Sequence, residues 1–103
     1  MKIWLDDKRP MPWNFDMHVF TAKEAVDCLV TYNVTHISLD HDLGDKELVG
    51  DGYQVAKWIE EKAFLNKIKR FTWALHTQNP VGEANMRAAL TKADEYWTKH
   101  EQS

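Results

Sequence analysis

The sequence lacks most of the features that mark specialised protein classes. It has one cysteine, Cys28, in 103 residues, so no internal disulfide can form and a secreted, disulfide-held scaffold is excluded. Cys28 is expected in the core. No apolar run is long enough to cross a bilayer, and the N-terminus MKIWLDDKRP sets two aspartates where a signal peptide needs its apolar segment. These absences predict a cytoplasmic protein with no membrane contact. There is no block of basic residues either: 13 Lys and Arg face 16 Asp and Glu, a net charge of -3. Duplex DNA binding driven by counterion release is therefore not expected, whereas a small phosphorylated ligand or one RNA end is compatible with this balance. Repeats and low-complexity tracts are missing as well. With 44% apolar and 12% aromatic residues the chain is too rich for a disordered tail and too short for two domains, so residues 1–103 read as one domain.

What is present reads as alternating short strands and helices. Lys2 to Leu5 suits a buried strand, because Pro10 and Pro12 follow too soon for a helix. His18 to Phe20 is a second, shorter strand. Thr21 to Glu24 is a capping box opening a helix whose Ala22, Ala25, Val26, Leu29 and Val30 share one face. Thr35 to Leu39 is β-prone, Tyr53 to Phe64 is helical, and Phe71 to Leu75 is a fourth strand. Asn79 caps a last helix with Pro80 at its first position, and Met86, Ala89, Leu90, Ala93 and Trp97 recur at helical spacing.

This order points to a small parallel α/β sheet with right-handed crossovers, in which ligands sit outside the carboxyl ends of the strands. Polar residues collect there: Asp6-Asp7 after the first strand, Asp40-His41-Asp42 after the third, and His76-Thr77-Gln78-Asn79 after the fourth. Four carboxylates on one rim would repel and raise one another's pKa unless a cation neutralises them, and hard oxygen donors suit Mg²⁺ or Mn²⁺. Asp7 and Asp40 are the leading candidate ligands, with Asp6 and Asp42 in support; taken singly, each also fits a turn or cap. His76 is the candidate general acid or base, with a pKa that nearby carboxylates would raise, against the plainer reading of a hydrogen-bonded core histidine. His41 is either a ligand or turned to the opposite face. The helix start at Asn79 to Gly82, with Thr77 before it, is a candidate phosphate cradle, where Gly82 would leave room for a ligand. Lys8 and Arg9 are candidate phosphate cations or ordinary surface charges.

Asp6-Asp7, Ile37-Ser38-Leu39-Asp40 and Gly50-Asp51-Gly52-Tyr53-Gln54-Val55 resemble a response-regulator receiver domain, with Asp40 at the phosphoacceptor position. The chain departs from that pattern in three places. Lys8 to Asp16 replaces the helix between the first two strands, the fifth strand with its lysine is missing, and His76 displaces the usual Ser/Thr. Leu5-Asp6-Asp7-Lys8-Arg9-Pro10, Asp40-His41-Asp42-Leu43-Gly44 and His76 to Met86 together are more specific, and over nearly the whole chain resemble the cyclic-phosphate-processing receiver-like family. That resemblance implies a flavodoxin-like, three-layer α/β sandwich on a four-stranded parallel sheet of order 2-1-3-4, truncated relative to a full receiver. It also implies action on cyclic phosphates in nucleotide or RNA-end metabolism. The resulting expectation is a metal-dependent phosphoesterase, a hydrolase, with His76 as acid or base and Asp40 as metal ligand or nucleophile. Arg9, Thr77, Asn79 and Gly82 would hold the phosphate. The competing expectations are a noncatalytic phosphate- or nucleotide-binding or protein-interaction module, and an aspartyl-phosphate switch at Asp40.

Overall fold

The computed structural model describes residues 1–102. Its strands are β1 (Lys2–Leu5), β2 (Met17–Val19), β3 (His36–Leu39) and β4 (Thr72–Leu75). Its helices are α1 (Ala22–Thr31), α2 (Lys46–Val49), α3 (Gly52–Phe64) and α4 (Pro80–Glu101). All strand pairs are parallel, in the order β2-β1-β3-β4, which makes this a small receiver-like α/β fold. The helix starts follow the sequence signals. Thr21 and Glu24 cap one another reciprocally, Asp51 accepts from the Gln54 N–H, and Asn79 accepts from the Gly82 N–H ahead of Pro80. The short α2, capped by Asp45, lies in a stretch that reads as loop, since four residues give no periodicity to detect.

Alternation along the strands sorts the side chains by face. Ile3, Leu5, Ile37 and Leu39 are fully buried and pack with Val55, Ala56, Ile59, Met86 and Leu90 of the helices. The residues between them, Trp4, Ser38 and Ala74, lie side by side in register on the opposite face. Helices α1 and α3, and α3 and α4, pack against each other, so the helices form one layer. For α1 and α3 the topology requires this. The β2-to-β3 and β3-to-β4 connections step across the sheet in the same direction, and right-handed crossovers then fall on the same face.

Only the β1-to-β2 connection steps the other way, and there the chain has no helix. The third layer of the sandwich is instead the irregular segment 6–16. Phe15 of this segment sets its ring against Trp4 and His36, with centroids 5.2 and 5.8 Å apart. Asp16 accepts the Lys2 N–H at 2.7 Å, and the Arg9 carbonyl accepts from the Trp4 indole at 3.4 Å.

Candidate functional site

One residue past their strands, Asp6, Asp40 and His76 still belong to the ladder. Their N–H groups donate to the carbonyls of Val19, Leu5 and Leu39 at 3.1, 3.0 and 3.0 Å. Each lies two positions beyond Trp4, Ser38 or Ala74, so the pleat turns all three side chains to the face without helices. Asp7 joins them: Asp6, Asp7 and Asp40 each bring a carboxylate oxygen to within 4.8 Å of the others. Asp6 is fully buried, Asp40 nearly so, and Asp7 is half-buried.

Asp6 is the most heavily bonded of the three. One oxygen accepts the Lys8 and Arg9 N–H groups at 2.8 and 3.0 Å, and the other accepts Arg9 Nη1 and His76 Nε2, both at 3.0 Å. Burial pushes its pKa up. The backbone N–H groups of Arg9 and Lys8, then the Arg9 guanidinium and His76, outweigh that and hold the carboxyl below the ordinary carboxylate value. The expected mutual rise among crowded carboxylates is thus overcome at Asp6 by donors aimed at its charged form. Arg9 Nη1 also reaches Asp40 Oδ2 at 3.4 Å, while Asp40 Oδ1 accepts the His41 N–H at 2.8 Å. Among the described residues, the Asp7 carboxylate has no hydrogen bond or ion pair.

His76 is clamped on three sides. Its Nε2 meets Asp6, its Nδ1 lies 2.8 Å from Ser38 Oγ, and its ring stacks on Trp4 with centroids 3.8 Å apart and planes 6° from parallel. An ionised Asp6 only accepts, so Nε2 carries the proton, and Nδ1 of the neutral ring accepts from the Ser38 hydroxyl. Burial lowers the imidazole pKa and outweighs the nearby charges of Asp6 and Asp40, which act to raise it. The shift is therefore opposite to the sequence-based expectation, because burial was not visible in the local sequence.

A pH dependence of stability follows. Folded His76 takes up a proton less readily than the unfolded residue, so stability is full above its ordinary value of 6.5 and declines as pH falls below it. His36, lowered by burial and by Lys2, acts in the same window. Asp6 adds to the decline further down, keeping its contribution above 3.8 and losing it as pH drops through its folded value. Urea midpoints should fall steadily from about pH 6.5 downward, and His76→Gln should flatten the upper part of that fall. An unchanged profile in the variant would assign the decline to other groups.

Residues 1–92 match the family model described as the cyclic-phosphate processing receiver domain. The chain belongs to this family. Neither a curated protein nor a solved structure matches it significantly. Among the described residues of this receiver domain, no helix is long and apolar enough to cross a membrane.

The remaining candidate residues of this receiver domain are placed differently from the carboxylate row. Asp42 stands apart from it and is exposed, its carboxylate 2.9 Å from His41 Nδ1 and 3.3 Å from Asn79 Nδ2. Past Asp40 the chain leaves the sheet and pairs Asp42 with Asp51, so alternation no longer returns its side chain to the row. His41 takes the opposite-face alternative: it packs on α4, with Nε2 3.9 Å from the buried Asp51. Thr77 accepts the Asn79 N–H at 3.2 Å, and Asn79 Oδ1 accepts the Gly82 N–H at 2.9 Å, so both already serve the turn into α4. Gly82 is small for a reason other than ligand access, since a Cβ there would stand 2.4 Å from the His41 ring.

Sequence reasoning missed Trp4 and Ser38, which hold His76, and Arg9 as the partner of Asp6 and Asp40. The period-two pattern carried a signal for the first two. Trp4 and Ser38 alternate with the fully apolar Ile3, Leu5, Ile37 and Leu39, and so share a face with Asp6 and Asp40.

Proposed function

We propose that the protein is a metal-dependent phosphoesterase that opens a cyclic phosphate, carried either by a cyclic nucleotide or by the 2',3'-cyclic end of an RNA. The observation that carries this reading is the carboxylate row. Three acidic oxygens lie within 4.8 Å of one another, more negative charge than the single guanidinium beside them balances. The all-oxygen donor set of Asp6, Asp7 and Asp40 fits Mg²⁺ or Mn²⁺. Such an ion, when bound, supplies Lewis-acid polarisation of a phosphoryl oxygen and a more acidic water.

The chain's own residues supply the rest. Arg9, part-exposed beside Asp6 and Asp40, is the nearby cation for a phosphate oxygen. In the hydrolysis a P–O bond forms to water, the ester P–O bond breaks, and the released oxygen takes a proton. His76 keeps a proton on Nε2 at the edge of the row and orients Asp6 through it. Asp40, at the phosphoacceptor position of receivers, also supports a second reading as an aspartyl-phosphate switch.

The test is a panel of cyclic nucleotides and 2',3'-cyclic-ended oligonucleotides, each with Mg²⁺ and with Mn²⁺, followed by phosphorus NMR. Ring opening of at least one member is expected. No opening with either metal would sink the phosphoesterase reading, and labelling of Asp40 by a small phosphodonor would then favour the switch.

A further inference from the structure

Resting on the metal site of that reading, we propose that Arg9 is a latch: its guanidinium is the resident cation of Asp6 and Asp40, gives way to a divalent ion, and is thereby released to a phosphate anion.

The argument begins with lone pairs. A carboxylate offers about four acceptor positions, and Asp6 has all four filled: Lys8 N–H, Arg9 N–H, Arg9 Nη1 and His76 Nε2. As it stands, Asp6 has nothing left to offer an ion. Three of its donors are held in place. Two are backbone groups of the turn, and the third is an imidazole clamped by Ser38 and Trp4. Only the Arg9 side chain is long, flexible and part-exposed, at 40%.

Asp40 has the same dependence. One of its oxygens takes the His41 N–H, and the other takes, among the described residues, only Arg9 Nη1, at 3.4 Å. A single guanidinium nitrogen therefore blocks one oxygen of Asp6 and one of Asp40, and its withdrawal opens both. Asp7 already stands free of such partners among the described residues. The Arg9 backbone need not move, because its N–H is held by Asp6 and its carbonyl by the Trp4 indole. The side chain swings on a fixed base.

Once withdrawn, the guanidinium is an unpaired planar fork at the edge of the site, suited to two oxygens of a phosphate. Cation and phosphate binding are then linked. Each removes part of the opposition to the other, so each must tighten the other by the same factor.

Calorimetric titration with Mn²⁺ tests this in the wild type, Arg9→Gln and Arg9→Lys, each with and without inorganic phosphate. Circular dichroism checks the fold of each, and Arg9→Lys keeps the test available should Arg9→Gln fold poorly. Without phosphate, Arg9→Gln should bind Mn²⁺ roughly tenfold more tightly than wild type, and Arg9→Lys should fall between. Phosphate should tighten Mn²⁺ binding to wild type by roughly fivefold or more, and by a clearly smaller factor in Arg9→Gln, where only direct contact between ion and phosphate is left to couple them. If Arg9→Gln binds Mn²⁺ no more tightly than wild type, or phosphate tightens both alike, the latch is overturned and the metal site stands. If none of the three binds Mn²⁺, the metal reading falls and the latch with it.

Discussion

Asp40→Asn is expected to abolish both cyclic-phosphate turnover and the stabilisation of the fold by Mn²⁺. Wild-type protein at a hundredfold excess of ion over its dissociation constant should gain roughly 2.7 kcal/mol, seen as a rise in melting temperature. Asparagine fills the same space and keeps an acceptor for the His41 N–H, but it removes one charge from the three carboxylates that would hold the ion. Turnover should fall roughly 10³-fold, corresponding to about 4 kcal/mol of lost transition-state stabilisation. The metal-free variant should be at least as stable as wild type, because three carboxylates face one guanidinium and a neutral imidazole. Differential scanning fluorimetry with and without Mn²⁺ separates these effects. A variant that still melts higher with Mn²⁺, by the wild-type increment, would place the ion elsewhere.

Gly52→Ala is expected to cost more stability than any other glycine substitution in the chain. Gly52 opens α3, and a Cβ there would stand 2.0 Å from the Asp40 carbonyl oxygen and 2.8 Å from the Met86 sulfur. The sulfur ends a flexible side chain, but the carbonyl belongs to the backbone at the end of β3. Either α3 moves off the sheet or the Asp40 turn is displaced, so the loss should reach about 3 kcal/mol or more. Gly82→Ala is the informative comparison. The nearest atoms to its Cβ belong to the His41 ring, a side chain rather than backbone, so the contact can be relieved without moving a strand end. Urea denaturation of the two variants checks the ranking, and equal losses would mean that the β3–α3 junction is looser than the structure shows.

The two substitutions also mark what was legible in the sequence. Strand ends at Asp6, Asp40 and His76 could be found because apolar runs stop there, and parallel strands bring their carboxyl ends together. The helix starts at Thr21 and Asn79 were legible because capping is written in local residue types. Gly52 could not be valued, since nothing in its neighbours reports the approach of a carbonyl twelve residues earlier in the chain. Arg9 reads in the sequence as a phosphate cation, and its role as a carboxylate partner was hidden for a similar reason: its pairing with Asp40 spans 31 residues and depends on the turn after β1. The pKa of His76 was misjudged because charges can be read from the sequence while burial beneath segment 6–16 cannot. Asp42 was grouped with the row because it closely follows the end of the third strand, but the chain leaves the sheet after Asp40 and pairs Asp42 with Asp51 instead.

The division of β1 and β3 between a helix-packed side and a side that leads into the carboxylate row constrains how the chain can pair with itself. A slip of β3 by one residue would exchange its faces, sending Ser38 and Asp40 into the apolar layer and Ile37 and Leu39 out into the carboxylate row. An unpaired carboxylate beneath α3 would be far costlier than an exposed isoleucine, so the misaligned sheet is penalised mainly by its charges. The carboxylates of the row therefore also discriminate against mispaired sheets, and replacing them with neutral side chains would weaken the fidelity with which the strands find their partners.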